Sequence, residues 1–117
     1  MSSTIEKVLT SRQAEALEAI KTRTLSKFEI AKMVLYGSIV RNDYDDKESD
    51  IDLLILTKNE LSRTKRHQIT EIIFEENLKY ETNFSGRVIP YSNWENGLYP
   101  LLTIYEDVKN EGILVYG

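Results

Sequence analysis

The amino-terminal part of the chain has the hydrophobic periodicity of helices. Between residues 3 and 23, apolar side chains recur at intervals of three and four, which predicts one amphipathic helix or two consecutive helices. The pairs Ser3/Glu6 and Thr10/Gln13 both match a capping box, in which two side chains three positions apart satisfy free backbone N–H groups. Each pair is therefore a candidate helix start.

Two apolar runs in the next part of the chain predict strands. The first extends from Lys32 to Tyr36 and stops at Gly37-Ser38, which favours a tight turn with a short helix opening at Ser38. The second extends from Asp50 to Leu56 and has the β-branched and leucine content of a buried strand. The segment between them, residues 42–49, is polar and acidic, which predicts a loop.

The second half of the chain returns to helices and strands in alternation. We expect Thr57 or Asn59 to cap a long helix with apolar residues on one side. Residues 83–90 alternate in polarity and end at a proline, which predicts a third strand. Pro100 precedes an amphipathic helix that extends to about Asn110, and residues 113–116 predict a short further strand. These elements together indicate an α/β (α+β) fold.

Composition narrows the functional classes. A chain of 117 residues is long enough for one domain with its own core, so we expect residues 1–117 to form a single domain. Cysteine is absent and histidine occurs once, which excludes thiolate chemistry and argues against a zinc site. The net charge of −4 argues against binding of extended nucleic acid. The chain shows no secretory signal and no membrane span, so we expect a cytoplasmic location.

Asp50 and Asp52 are the strongest candidates for a metal site. Alternate residues of a strand share a face, so both carboxylates project the same way, roughly 6.5 to 7 Å apart along the strand. Two such carboxylates repel each other unless a cation neutralises them. Mg²⁺ is typically held by one or two carboxylates together with substrate phosphates. An Asp-x-Asp at a strand end is nevertheless most often solvated, so this spacing alone does not decide the matter.

The Gly37-Ser38 turn has the features of a phosphate-binding segment. A glycine allows close approach of the backbone, the Ser38 side chain can donate a hydrogen bond, and a following helix start offers free N–H groups. Arg41 lies one turn later and is expected either to contact a phosphate or to pair with an acid of residues 43–48. On its own, a Gly-Ser pair after a strand is more often a simple turn.

The order of these features is more specific than any one of them. The segment Val34-Leu35-Tyr36-Gly37-Ser38-Ile39-Val40-Arg41, followed by Ser49-Asp50-Ile51-Asp52-Leu53-Leu54-Ile55, resembles the signature of minimal nucleotidyltransferases of the DNA polymerase beta superfamily. The resemblance implies the nucleotidyltransferase fold, a small mixed sheet of about three to five strands flanked by helices. It also implies that Gly37, Ser38, Arg41 and Ser49 bind a nucleotide, and that Asp50 and Asp52 are catalytic and ligate Mg²⁺.

The resemblance implies a reaction and a partner as well. A hydroxyl of a protein or an RNA would attack the α-phosphorus of a nucleoside triphosphate, expected to be ATP, and pyrophosphate would leave. Small domains of this kind are often paired with HEPN-domain ribonucleases as antitoxins, so we expect a HEPN partner and a homo- or hetero-oligomer. Two metal ions would stabilise the attacking and leaving oxygens.

One part of the family pattern is missing from this sequence. Active members carry a third carboxylate on the next strand, and the matching place here lies near Ser85. Asn83 and Arg87 share the same predicted strand face, and Glu81 is the nearest substitute acid. Two alternatives to a working enzyme therefore stay open. The chain is either a degenerate binding module that neutralises a HEPN ribonuclease or, less in keeping with the motif, an inert α/β domain with solvated strand-end acids.

Overall fold

The computed structural model describes residues 2–41 and 49–117 as an alternation of helices and strands. The elements are α1 (Ser2–Val8), α2 (Ser11–Lys27), β1 (Ile30–Tyr36), α3 (Ser38–Arg41), β2 (Ile51–Thr57), α4 (Arg63–Tyr80), β3 (Phe84–Pro90), α5 (Tyr91–Asn96), a 3₁₀ turn (Tyr99–Leu101), α6 (Thr103–Glu111) and β4 (Ile113–Tyr116). The α+β class expected from the sequence is confirmed. No helix within the described ranges is long and apolar enough to cross a membrane.

The amino-terminal periodicity corresponds to two helices, and Thr10 separates them. The Thr10 hydroxyl accepts a hydrogen bond from the backbone N–H of Gln13 at 3.1 Å, and the Gln13 side chain accepts one from the N–H of Thr10 at 2.9 Å. This capping box is therefore confirmed. The other predicted cap was wrong, because α1 begins at Ser2 and Ser3 lies inside it.

The start of α4 differs from the prediction. Ser62 caps the helix by accepting a hydrogen bond from the N–H of Lys65, whereas Thr57 and Asn59 precede it. Thr57 is the last residue of β2, and its hydroxyl donates to the Asn59 carbonyl at 2.6 Å. Asn59 in turn donates to Glu29 at 3.0 Å. Both predicted caps therefore stabilise the end of β2 instead of the start of the helix.

The four described strands form one mixed sheet in the order β3-β2-β1-β4. Strand β1 pairs antiparallel with both β2 and β4, while β2 and β3 are parallel. A parallel pair requires a crossover connection, and α4 supplies it. The register places Tyr36 of β1 and Ser85 of β3 on either side of Asp52 in β2. The strand predicted over residues 83–90 thus lies beside the strand that carries the aspartates.

Each face of the sheet carries its own hydrophobic cluster. Helices α1, α2 and α4 cover the first face, which includes Leu53 and Ile55 of β2. The second face includes Leu54 and Leu56 and is covered by α5, the 3₁₀ turn and α6. Because side chains alternate along a strand, Asp52 lies on this second face, beyond the last buried leucine.

Helix α5 and the 3₁₀ turn were not predicted from the sequence. We expected a helix to begin after Pro100, but α6 begins at Thr103, and Pro100 lies inside the 3₁₀ turn. The buried ring of Trp94 packs against Tyr99 and Tyr105, with centroid distances of 5.7 and 5.0 Å. Both elements are short, and their packing around Trp94 on the sheet is a tertiary interaction that leaves little periodic signal in the sequence.

Removing the guanidinium that joins α2 to α4 should destabilise the protein. Arg23 donates to Glu76 and to Glu75, both at 2.8 Å, and Glu76 is buried. We expect Arg23→Ala to lower the free energy of unfolding by about 1–3 kcal/mol, because a buried carboxylate loses its partner. Denaturant unfolding measures this change.

The matched control is Arg12→Ala. Its partner Glu81 is 3.6 Å away and both side chains are exposed, so the cost should be at most about 1 kcal/mol. Equal costs for the two variants would show that burial of Glu76 contributes nothing to the pair at Arg23.

Candidate active site

The turn after β1 is built around Gly37. Its φ of +89° lies in a region that residues with a Cβ rarely adopt. A Cβ at this position would overlap Oδ2 of Asp52 and would lie 3.2 Å from its Cγ. The Gly37 carbonyl also accepts hydrogen bonds from the N–H groups of Val40 and Arg41, at 3.0 and 3.2 Å, which starts α3 at Ser38. The absence of a side chain therefore lets the turn and the Asp52 carboxylate meet.

Asp50 and Asp52 approach this turn from β2. Asp52 is partly buried within the strand, while Asp50 is exposed and precedes it, because the strand begins at Ile51 and not at Asp50 as predicted. The Ile51 side chain is fully buried in the opposite core, which leaves the two aspartates on one side of the chain. Burial raises the pKa of Asp52, and the charge of Asp50 raises it further. The two carboxylates are thus close enough to repel each other.

Asn83 holds the backbone that carries Asp50. The N–H of Ile51 donates to the Asn83 carbonyl at 3.0 Å, and the Asn83 side-chain amide donates to the Ser49 carbonyl. Both sides of Asp50 are therefore attached to the residue that precedes β3. We placed Asn83 only on a strand face from the sequence and missed this function, because the contact joins segments that are far apart in the chain.

Two arginines bring positive charge to the aspartates. Arg41 and Arg87 both lower the pKa of Asp52, in opposition to its burial and to Asp50. Arg41 forms an ion pair with Glu111 at the end of α6, at 3.2 Å. The acids of residues 43–48, which we considered as partners for Arg41, lie outside the described residues. Arg87 extends from β3, and its guanidinium lies near the Tyr36 hydroxyl, whose pKa it lowers.

Glu81 does not substitute for a third carboxylate. It is the left-handed cap of α4, with φ 56°, and its N–H donates to the Asn77 carbonyl. Its carboxylate is highly exposed and lies 3.6 Å from Arg12 of α2, in the helical layer on the other face of the sheet. The candidate proposed from the sequence is therefore wrong, because residue 81 still caps α4 and the chain enters the strand direction only at Phe84.

The strand position beside Asp52 carries a hydroxyl. Ser85 pairs with Asp52 in the register and is exposed. Among residues 2–41 and 49–117, no group of three or more acidic or histidine side chains is arranged to hold a metal ion. Two neighbouring carboxylates, one of them partly desolvated, nevertheless match the oxygen donors that Mg²⁺ uses when phosphates complete its coordination. The donor set fits one divalent cation.

Comparison with known proteins places these residues in a family context. The family model described as "Nucleotidyltransferase domain" matches residues 17–115. A "putative protein adenylyltransferase" of Methanocaldococcus jannaschii is 36% identical over an alignment of 72 residues that covers 57% of this chain and 72% of that protein. The crystal structure of a "putative nucleotidyltransferase" from Sulfolobus solfataricus superimposes with a TM-score of 0.51 at 18% identity. It covers 98% of this chain and 84% of the other, and it supports the fold.

The contact between Gly37 and Asp52 can be tested by a double-mutant cycle. Gly37→Ala should destabilise the protein by at least about 1 kcal/mol through backbone strain alone, with a further cost from overlap with the carboxylate. In an Asp52→Ala background only the strain is left, so the same substitution should cost less there. Denaturant unfolding of the four proteins gives both numbers, and an equal cost in the two backgrounds would contradict the close approach.

The raised pKa of Asp52 predicts a pH-dependent stability. In the folded protein this carboxyl binds its proton more tightly than in the unfolded chain, where its ordinary value is 3.8. Protonation of Asp52 therefore stabilises the folded protein fully below that value. This stabilisation is lost as the pH rises through the folded-state pKa. Without divalent cations, Asp52→Asn should therefore melt above the wild type at pH 7, and the difference should shrink towards pH 4.

The control for this measurement is Glu60→Gln, which removes an exposed carboxylate beyond the opposite end of β2. Its melting temperature should follow that of the wild type. A lower melting temperature for Asp52→Asn at pH 7 would mean that the two arginines stabilise the charge by more than burial and Asp50 destabilise it.

Proposed function

Because this chain belongs to the nucleotidyltransferase domain family, we propose that it binds a nucleoside triphosphate with Mg²⁺ and transfers the nucleotidyl group to a hydroxyl. The observation that carries the proposal is the contact between the Gly37 turn and the Asp52 carboxylate. It brings a segment suited to phosphates and a segment suited to a cation into one place. Neither segment would form this site without the other.

Different side chains around this contact would bind the metal ion and the phosphates. Asp50 and Asp52 would hold Mg²⁺, which supplies charge neutralisation for the phosphates and for the departing pyrophosphate. Ser38 opens α3 next to the carboxylates and is partly exposed, so its hydroxyl can donate to a phosphate oxygen. Ser49 precedes Asp50 in the segment held by Asn83, and we assign it to the same nucleotide. Arg41 would contact a phosphate by exchanging Glu111 for it.

The reaction forms one bond and breaks one. The oxygen of an acceptor hydroxyl attacks the α-phosphorus, its proton passes to solvent, and the bond to the β-phosphate oxygen breaks to release pyrophosphate. We propose ATP as the nucleotide and a protein hydroxyl as the acceptor, with an RNA hydroxyl as the other choice. The similarity to the "putative protein adenylyltransferase" of Methanocaldococcus jannaschii supports adenylyl transfer to protein.

We further propose that the acceptor belongs to a HEPN-domain ribonuclease and that the chain acts as its antitoxin within a hetero-oligomer. A second candidate function is neutralisation of such a partner by complex formation alone. One observation favours this second candidate: the β3 residue level with Asp52 is a serine, and no group of three acidic side chains among the described residues is arranged to hold metal ions, so a second ion lacks the anionic ligand expected from β3. Cytoplasmic location is part of the same proposal.

Calorimetry with ATP and Mg²⁺ tests the binding step. We expect Asp52→Asn to weaken binding at least about tenfold, because a neutral amide no longer attracts the cation. Ser38→Ala should weaken it by about 1 kcal/mol, or by up to about 3 kcal/mol if the hydroxyl meets a charged phosphate oxygen. Glu60→Gln is the matched control and should bind as the wild type does. Equal affinities for wild type and Asp52→Asn would refute the proposed metal site.

Transfer itself is tested with radiolabelled ATP and the product of a neighbouring HEPN gene as acceptor. Label on the partner that is lost in Asp52→Asn supports the enzyme. A stable complex that forms without label transfer, and equally well with Asp52→Asn, supports the binding module instead.

A further inference from the structure

Arg87 of β3 lies near the candidate metal site, but binding of one metal ion by Asp50 and Asp52 assigns no function to it. Side chains alternate along β3, so Ser85 and Arg87 share the face that carries Asp52 in β2. Ser85 is level with Asp52, and Arg87 is level with Leu54, one position deeper in the sheet on the same face. Tyr36 is level with Asp52 on the other side, in β1.

The proximity of Arg87 to Tyr36 indicates the path of the guanidinium. These residues belong to β3 and β1, which are separated by β2. To reach the Tyr36 hydroxyl, the Arg87 side chain must cross β2 next to Asp52. Its effect on the Asp52 carboxyl, whose pKa it lowers, agrees with this position. The strand order and register, together with this proximity, therefore place a positive charge beside the carboxylate.

The charge of Arg87 is not consumed by its partner. Burial raises the pKa of Tyr36, and the charge of Asp52 raises it further, so the phenol is neutral at pH 7. Arg41 differs, because it is paired with the carboxylate of Glu111. Arg87 thus keeps a full positive charge at the exposed end of the sheet, together with guanidinium N–H groups that can donate to a phosphate.

We infer that Arg87, held in position by Tyr36, supplies the second positive charge of this site in place of a second divalent cation, so that the chain binds its nucleotide with one metal ion. The inference rests on the proposed function. A second ion needs an anionic oxygen ligand, but beside Asp52 the described part of β3 offers a serine hydroxyl and this guanidinium. The positive charge of the guanidinium repels a second metal ion. The guanidinium itself needs no anionic ligands from the protein, whereas a metal ion does.

A guanidinium in this position performs part of the work of a metal ion. It donates two parallel hydrogen bonds to phosphate oxygens and meets the charge that develops on them during transfer. It does not lower the pKa of an attacking hydroxyl as a bound cation does. Arg87 is therefore assigned to binding and charge stabilisation at the nucleotide, and Tyr36 is a positioning residue that acts through it.

The number of metal ions bound per nucleotide tests the inference directly. The probe is Mn²⁺, counted by electron paramagnetic resonance with a saturating, non-hydrolysable ATP analogue. We expect one ion per wild-type chain. Ser85→Asp/Arg87→Ala exchanges the guanidinium for a carboxylate beside Asp52, and we expect two ions per chain. Two ions in the wild type, or one in the double variant, would overturn the inference.

Nucleotide affinity without metal is an independent measurement. Calorimetry with ATP in EDTA should show weak binding by the wild type and at least about tenfold weaker binding by Arg87→Ala, the scale of a hydrogen bond to a charged group. Arg87→Lys should retain part of the affinity because it keeps the charge. Tyr36→Phe should weaken binding in the same direction but less. Arg63→Ala, an exposed arginine of α4, is the control and should leave the affinity unchanged.

These measurements separate the two proposals. If the wild type shows no Mg²⁺-dependent ATP binding at all, the proposed function fails, and the assignment of Arg87 fails with it. If the wild type binds Mg²⁺ with ATP, but Arg87→Ala binds ATP in EDTA as the wild type does, only the assignment of Arg87 fails. Unchanged binding in Tyr36→Phe overturns the positioning of Arg87 by Tyr36.

Discussion

The close packing of Gly37 against Asp52 is the constraint on which the rest of the site depends. The turn between β1 and α3 has a backbone conformation that glycine adopts freely, and the same glycine leaves room for a carboxylate. Pairing of β1 with β2 brings the two together, because Tyr36 is level with Asp52. Asn83 is hydrogen-bonded to the segment before β2, and this contact positions Asp50 beside Asp52. A local turn thus becomes a site only when three strands assemble.

The charges and the burial around Asp52 act on its ionisation in opposite directions. Burial and Asp50 both oppose ionisation of Asp52, whereas Arg41 and Arg87 favour it. Without a ligand, the two arginines serve as the counter-charge that two neighbouring carboxylates need. They differ in what they can do next. The charge of Arg41 is shared with the carboxylate of Glu111, while the Tyr36 hydroxyl near Arg87 is a neutral phenol.

Sequence patterns predicted the parts of this structure that depend on neighbouring residues. Strand β1, the glycine turn, the helix start at Ser38 and the capping box at Thr10 all follow from short-range chemistry. The family resemblance also implied that the third strand lies beside the aspartates, with the family acid near Ser85, and Ser85 is level with Asp52. The sequence did not predict the Ser62 cap or the hydrogen bonds from Asn83 to the segment around Asp50. The prediction that Glu81 substitutes for a third carboxylate was wrong. Each depends on where the chain turns in three dimensions, which no local pattern encodes.

The order of strands in the sheet also determines when each part of the protein can form during synthesis. The three strands around the candidate site all lie within residues 30–90, but the second neighbour of β1 is β4, at residues 113–116. Until that segment leaves the ribosome, β1 has one edge with unpaired N–H and C=O groups, and such edges recruit other chains. A nascent chain can therefore assemble its glycine turn and aspartates while the seven-residue edge of β1 is still open, and β4 then replaces that edge with one of four residues.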